Sequence, residues 1–277
     1  MKNIILLSDE IFADFPFKLT LVPWTDDVAI TMYDVESVHT DGITRDYVDK
    51  HIVGVYGGPL CTDSIANTKK RMKRLFESKV KANNVNWIHG ATAEFFSHLL
   101  LNHCGYRQEF LFKNLEEGSI KKGFDGLYSI EDDIWLMESK SGEYSDKTNH
   151  YTKFREAWRD LQSRLGDTSN NDPWENALHH AGFLNVRSSK SILSMIRQLS
   201  DEFIDDRGRN ISDFNIIPCA TIFTKHNQIL LEQNVVLQNI QTFLKNENHS
   251  YVHVVCITHE GINSFLSYLG LSEGIYV

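Results

Sequence analysis

The chain has 277 residues, of which 42% are apolar and 23% charged, with four cysteines and a net charge of −9. That is enough apolar material for one large domain or two small ones, and too little charge of one sign for a disordered chain. The N-terminal run Ile4-Ile5-Leu6-Leu7 is too short for a signal core and nothing approaches the ~20 apolar residues of a membrane helix, so the expectation is a soluble cytoplasmic protein with no membrane partner. Cys61, Cys104, Cys219 and Cys256 are far apart and form no C-x-x-C, which predicts reduced, mostly buried thiols.

Charge is unevenly placed. Between Lys69 and Lys81, seven basic residues against the single acid Glu77 give a local +6, so the rest of the chain carries −15. Such a run is either a solvated helix face or a phosphate-contacting patch, and charge alone does not separate the two.

In chain order, residues 17–22, 28–32 and 52–56 read as short β-like runs, ending in Gly57-Gly58-Pro59. A polar, basic helix follows over about 62–81. Ile88, Ala91, Phe95 and Leu99 recur at helical spacing, with Gly105 placed to stop that helix. The period then moves towards two, giving strands at 109–112, 124–130 and 134–140, the last two joined by a turn at Glu131-Asp132-Asp133. Tyr151, Phe154, Trp158, Leu161 and Leu165 form the apolar stripe of an amphipathic helix. After a polar loop at 166–173 come two further helices reaching about 206, a buried strand at 214–224, a helix at 229–244, a buried strand at 251–258 and a last helix at 261–269. The pattern is that of a mixed α/β sheet with helices on both faces.

The chain has no P-loop, G-x-G-x-x-G, G-x-S-x-G or H-E-x-x-H, which removes the signatures of nucleotide hydrolysis, dinucleotide binding, α/β-hydrolase and zinc-protease chemistry. The pairs His98/His103, His179/His180 and His249/His253 lack a metal-ligand spacing on their predicted elements. Glu-Ser-Lys occurs twice, and a chain with this many acids and lysines contains about two [DE]-x-K matches by chance. Context separates the copies. Glu77-Ser78-Lys79 lies in the basic run, where a solvated helix explains it. Glu138-Ser139-Lys140 ends the run Ile134-Trp135-Leu136-Met137, where a carboxylate and an ammonium are costly unless something binds them.

Residues 138 and 140 project from one face of a strand. A turn centred on Asp132 and Asp133 sets Asp125 opposite Lys140 and Leu127 opposite Glu138, so that Asp125 and Glu138 are diagonal neighbours about 7–8 Å apart at Cα. Two carboxylates with open positions suit Mg²⁺, with Mn²⁺ as a substitute. Lys140 beside them would hold or deprotonate a water and stabilise developing charge, which is the chemistry of phosphodiester hydrolysis. Lys121 and Lys122 flank the site as candidate nucleic-acid contacts, although a loop lysine pair is commonly just solvated.

These residues resemble the PD-(D/E)xK nuclease superfamily: Gly123-Phe124-Asp125-Gly126, twelve residues between Asp125 and Glu138, then Glu138-Ser139-Lys140, within the order helix, three strands, helix, strand. Phe124 stands where that motif has proline. In length, in Gly-Phe-Asp-Gly-Leu-Tyr and in Trp-Leu-Met-Glu-Ser-Lys-Ser-Gly, the chain is more narrowly similar to the HamA family, the nuclease subunits of the Hachiman anti-phage system. The core of the resemblance spans about residues 86–225.

The resemblance implies a restriction-endonuclease-like fold, expected over 81–277; the pattern along the chain adds a helical insertion at about 166–212 and an N-terminal α/β region at 1–80. It implies metal binding by Asp125 and Glu138 and a catalytic Lys140. A further metal ligand is expected at Glu94, since some superfamily members add a Glu from the preceding helix. It also implies a DNA-degrading effector working with a superfamily-two helicase subunit, HamB. Two other readings stand beside it: a non-catalytic nuclease-like adaptor, and a stand-alone restriction endonuclease, which requires a symmetric dimer to read a palindrome.

Overall fold

A computed structural model describes residues 11–25, 27–35, 42–113, 123–166, 172–183, 185–225, 233–260 and 262–271. Seven strands form one mixed sheet: β1 (Lys18–Thr25), β2 (Val28–Val35), β3 (Arg107–Gln108), β4 (Gly126–Ile130), β5 (Asp133–Glu143), β6 (Asn215–Thr224) and β7 (Val252–Glu260), in the spatial order β1-β2-β7-β6-β5-β4-β3. The four central strands β2, β7, β6 and β5 run parallel to one another, and the outer pairs β1/β2, β4/β5 and β3/β4 are antiparallel. Parallel strands are covered on both faces. Accordingly β6 and β7 are near-continuous apolar runs.

The helices are α1 (Gly42–Gly57), α2 (Ile65–Lys81), α3 (Val85–His103), α4 (His150–Leu165), α5 (Pro173–Ala181), α6 (Lys190–Ile204), α7 (Gln233–Leu244) and α8 (Ile262–Tyr268). Side chains of α1, α2, α3 and α8 form one core with Trp135 and Met137 of β5 and Tyr128 of β4. Side chains of α4, α5, α6 and α7 form the other with Ile134 and Leu136 of β5 and Leu127 of β4. The result is the mixed α/β, restriction-endonuclease-like layering expected from the sequence. None of the described helices is long and apolar enough to cross a membrane.

Three local expectations are corrected. Residues 52–56 lie in the helix α1, because Val48, Ile52 and Val55 are buried at helical spacing and their packing overrides β-branched propensity. The strand expected at 109–112 is confined to Arg107–Gln108. The N–H groups of Glu109 and Phe110 both donate to the Leu127 carbonyl, at 2.8 and 3.3 Å, so two residues face one, as in a β-bulge, and regular pairing stops.

The β4/β5 hairpin turns at Glu131-Asp132, with Glu131 in the left-handed region at φ +52°, and pairs Ile130 with Asp133 and Gly126 with Met137. The register thus differs by two residues from the one expected. A two-residue slip is one full side-chain period, so the polar residues keep their face.

Candidate active site

Asp125 stands just before β4, in a loop shaped by its neighbours. A side chain at Gly123 would meet the Pro173 carbonyl oxygen at 2.4 Å, so only glycine permits this approach of the α5 backbone. Phe124 is fully buried, with its ring 5.1 Å from that of Trp174. Asp125 shares the face of Leu127. Its Oδ2 accepts the Ser139 N–H at 2.9 Å, which holds it beside the strand carrying Glu138 and Lys140.

Glu138 is fully buried, whereas Lys140, two residues on, is partly open. Both project towards α4, on the face of Ile134 and Leu136. Glu138 Oε1 accepts from Lys140 Nζ at 2.8 Å and from Arg164 Nη2 at 2.9 Å. The same guanidinium donates through Nη1 to the Gly123 carbonyl, tying the Asp125 loop to Glu138. Lys140 Nζ also lies 2.5 Å from Asp160 Oδ2.

Asp160 and Arg164, one turn apart on α4, are partners that sequence reasoning missed. Their i,i+4 spacing is the available signal, but Glu77 and Lys81 share it on the surface of α2, so it becomes informative only once α4 is placed against β5.

The helix that carries them begins with a reciprocal cap: the Asn149 side chain accepts the Thr152 N–H at 3.1 Å, and Thr152 Oγ1 accepts the Asn149 N–H at 3.0 Å. Replacing this cap, Asn149→Ala, is expected to lower stability by about 1 kcal/mol in thermal or urea unfolding.

Burial is the main cause that pushes the Glu138 carboxyl up to about 8; the negative charge of Asp125 adds to it, and Arg164 and Lys140 pull the other way. For Lys140, burial works to lower the pKa, but Glu138 and Asp160 outweigh it and hold the ammonium above the ordinary lysine value. Lys140 is therefore a cation at neutral pH.

The donor set suits a hard cation. Glu138 Oε2 is buried and has no hydrogen-bond partner, which costs about 1–3 kcal/mol for an ordinary polar atom. With the Asp125 carboxylate near enough to perturb Glu138, the pair offers oxygen ligands of the type Mg²⁺ or Mn²⁺ takes. Among the described residues no three His, Cys, Asp or Glu side chains gather as a ready-made metal cage.

Glu94 is carried by α3, which packs on the opposite face of the sheet. Its carboxylate is 3.6 Å from His98 Nε2, and His98 Nδ1 meets the Tyr128 hydroxyl in that layer. Lys121 and Lys122 lie outside the described residues.

A comparison with curated proteins gives no match. The HamA family model matches residues 27–269, from the turn before β2 to the end of α8 and including every residue of the site just described. The chain belongs to the HamA family.

Proposed function

We propose that this chain is a Mg²⁺-dependent deoxyribonuclease, the effector subunit of a complex with a superfamily-two helicase, HamB. Membership of the HamA family supports a role in anti-phage defence. The observation that carries the nuclease reading is the orphaned Glu138 Oε2, buried beside Asp125 with the Lys140 ammonium on the other oxygen of the same carboxyl.

In this reading Asp125 and Glu138 hold the cation from one face of the β4/β5 hairpin, and Glu94 on the other face is left out of the ligand set. When bound, Mg²⁺ supplies Lewis acidity to the scissile phosphodiester and lowers the pKa of an attacking water. Lys140, a cation in the metal-free protein, would donate hydrogen bonds to phosphate oxygen or hold the attacking water as negative charge builds there. Asp160 fixes the ammonium, and Arg164 fixes Glu138 against the Gly123 carbonyl. Lys121 and Lys122 are proposed to grip the DNA backbone.

Calorimetric titration with Mg²⁺ and Mn²⁺ tests the cation site. Wild type is expected to bind one ion in a form that Asp125→Asn weakens about tenfold or more. Co-elution with the helicase subunit tests the complex. The adaptor reading is favoured by one feature: Lys140 and Arg164 already converge on Glu138 Oε1 and neutralise it without a metal. Absence of cation binding in wild type, with helicase association intact after alanine at Asp125, Glu138 and Lys140, would select that reading.

A further inference from the structure

The basic segment at 69–81 forms most of α2, and the fold divides its cations into two groups. Thr68, Met72, Phe76 and Val80 turn inward at four-residue spacing and are buried. Of the cations, Lys69 is spent within the fold: its Nζ is 3.3 Å from Asp49 Oδ1 and 3.7 Å from the Tyr268 ring centroid. Arg71 pairs with Asp63 at 3.5 Å, Lys81 with Glu77 at 3.5 Å, and Lys79 lies over Trp87.

Lys70, Lys73 and Arg74 are different. Among the described residues none has a carboxylate within ion-pair distance; Lys70 and Arg74 are exposed and Lys73 is half-buried. Lys70 and Arg74, four residues apart, stand together on the outward side, a like-charge pair that costs a helix about 0.2–0.5 kcal/mol, and Lys73 flanks them with its Nζ beside Gly270 at the end of α8. Glu77, three residues beyond Arg74, is paired with Lys81, and the repulsion occurs in a chain whose remaining charge is strongly negative.

We infer that the Lys70-Lys73-Arg74 ridge of α2 is a docking surface for the phosphate backbone of DNA. The inference rests on the DNA-acting reading above and gives a place where a −9 chain holds a polyanion. Three unpaired cations on a helix about 25 Å long can each displace a condensed counterion from a phosphate, so binding through the ridge is salt-sensitive and indifferent to sequence.

The test compares wild type with the triple variant Lys70→Glu/Lys73→Glu/Arg74→Glu and with its glutamine counterpart, whose retained helix propensity guards against misfolding. Binding of a fluorescein-labelled duplex of about 30 base pairs is followed by anisotropy in EDTA, from about 50 to 200 mM salt. The ridge predicts at least about tenfold weaker binding for both variants, and a log–log salt slope smaller by about 2–3 for the glutamine variant.

Plasmid cutting by wild type with Mg²⁺, the helicase subunit and ATP, run in parallel, separates the ridge from the nuclease reading. Equal affinities and slopes for wild type and variants overturn the ridge and leave the nuclease reading standing. The same holds if wild type cuts plasmid but binds no duplex. If wild type neither binds nor cuts, both fall. Loss of helicase co-elution in the variants, with duplex binding unchanged, overturns the DNA assignment and makes the ridge a protein-docking face.

Discussion

Glu138→Gln is expected to reduce Mg²⁺-dependent DNA cutting by at least about 100-fold while leaving the protein as stable as wild type, or more so, at pH 8. The activity loss follows from replacing an anionic ligand by a neutral amide. The stability gain follows from linkage. The folded carboxyl pKa is about 8 against an ordinary 4.5, so the folded state binds this proton more tightly; that stabilisation is full below 4.5 and is lost as pH rises through 8.

At pH 8 the half-ionised, buried carboxyl therefore costs the fold about 4 kcal/mol relative to a neutral group, and glutamine removes that cost. The amide oxygen still accepts from Lys140 and Arg164. Differential scanning calorimetry should show a melting temperature equal to wild type or a few degrees higher at pH 8, with the advantage gone at pH 5. Glu138→Ala, by contrast, leaves two converging cations without an acceptor and should be destabilised at both pH values. A fall in stability of the glutamine variant at pH 8 would mean that the carboxylate is a structural ion-pair centre.

Acid should unfold the chain well before its carboxylates are all protonated. His150, His253 and His259 are buried in or beside the central strands, and burial lowers their pKa to about 4, 3 and 3. His253 is fixed between Thr31 Oγ1 and the Tyr106 hydroxyl, each 2.9 Å away, whereas both ring nitrogens of His259 lack a hydrogen-bond partner.

These groups are neutral when folded, so the stability they contribute is present above the unfolded value of 6.5 and is lost as pH falls. All three folded values lie below 5, so the loss down to pH 5 is set by the unfolded pKa alone, about 2 kcal/mol for each histidine and about 6 together. Protonation of Glu138 returns about 2–3 kcal/mol over the same interval, for a net loss of about 3–4 in wild type and about 6 in Glu138→Gln. Set against a total of about 5–15 kcal/mol, that is a large share. Urea midpoints at pH 7 and pH 5 measure it, and a midpoint that does not fall would contradict the buried neutral histidines.

The elements around the site were legible because their signals are local. The stripe of α4, the apolar run before Glu138 and the acidic turn between β4 and β5 each declare period and direction within a few residues. The face shared by Asp125, Glu138 and Lys140 tolerated an error in register, since the error was even. Long-range placement was not legible. No local pattern announces that β2 lies parallel to β7, more than 200 residues away, or that Ile52 and Val55 pack as a helix. Asp160 and Arg164 escaped notice for the same reason: their role exists only where α4 crosses β5, and on the helix alone they are an ordinary surface pair.

Asp125, Glu138 and Lys140 are proposed to form a cation-dependent phosphodiester-cutting site. Its most direct test is the conversion of supercoiled plasmid by purified wild type and Lys140→Ala, with and without Mg²⁺, alone and with the helicase subunit and ATP. The expected result is nicked or linear product that requires Mg²⁺, is lost in Lys140→Ala and depends on the helicase. Product that persists in EDTA or in Lys140→Ala, or no product in any combination, would contradict it.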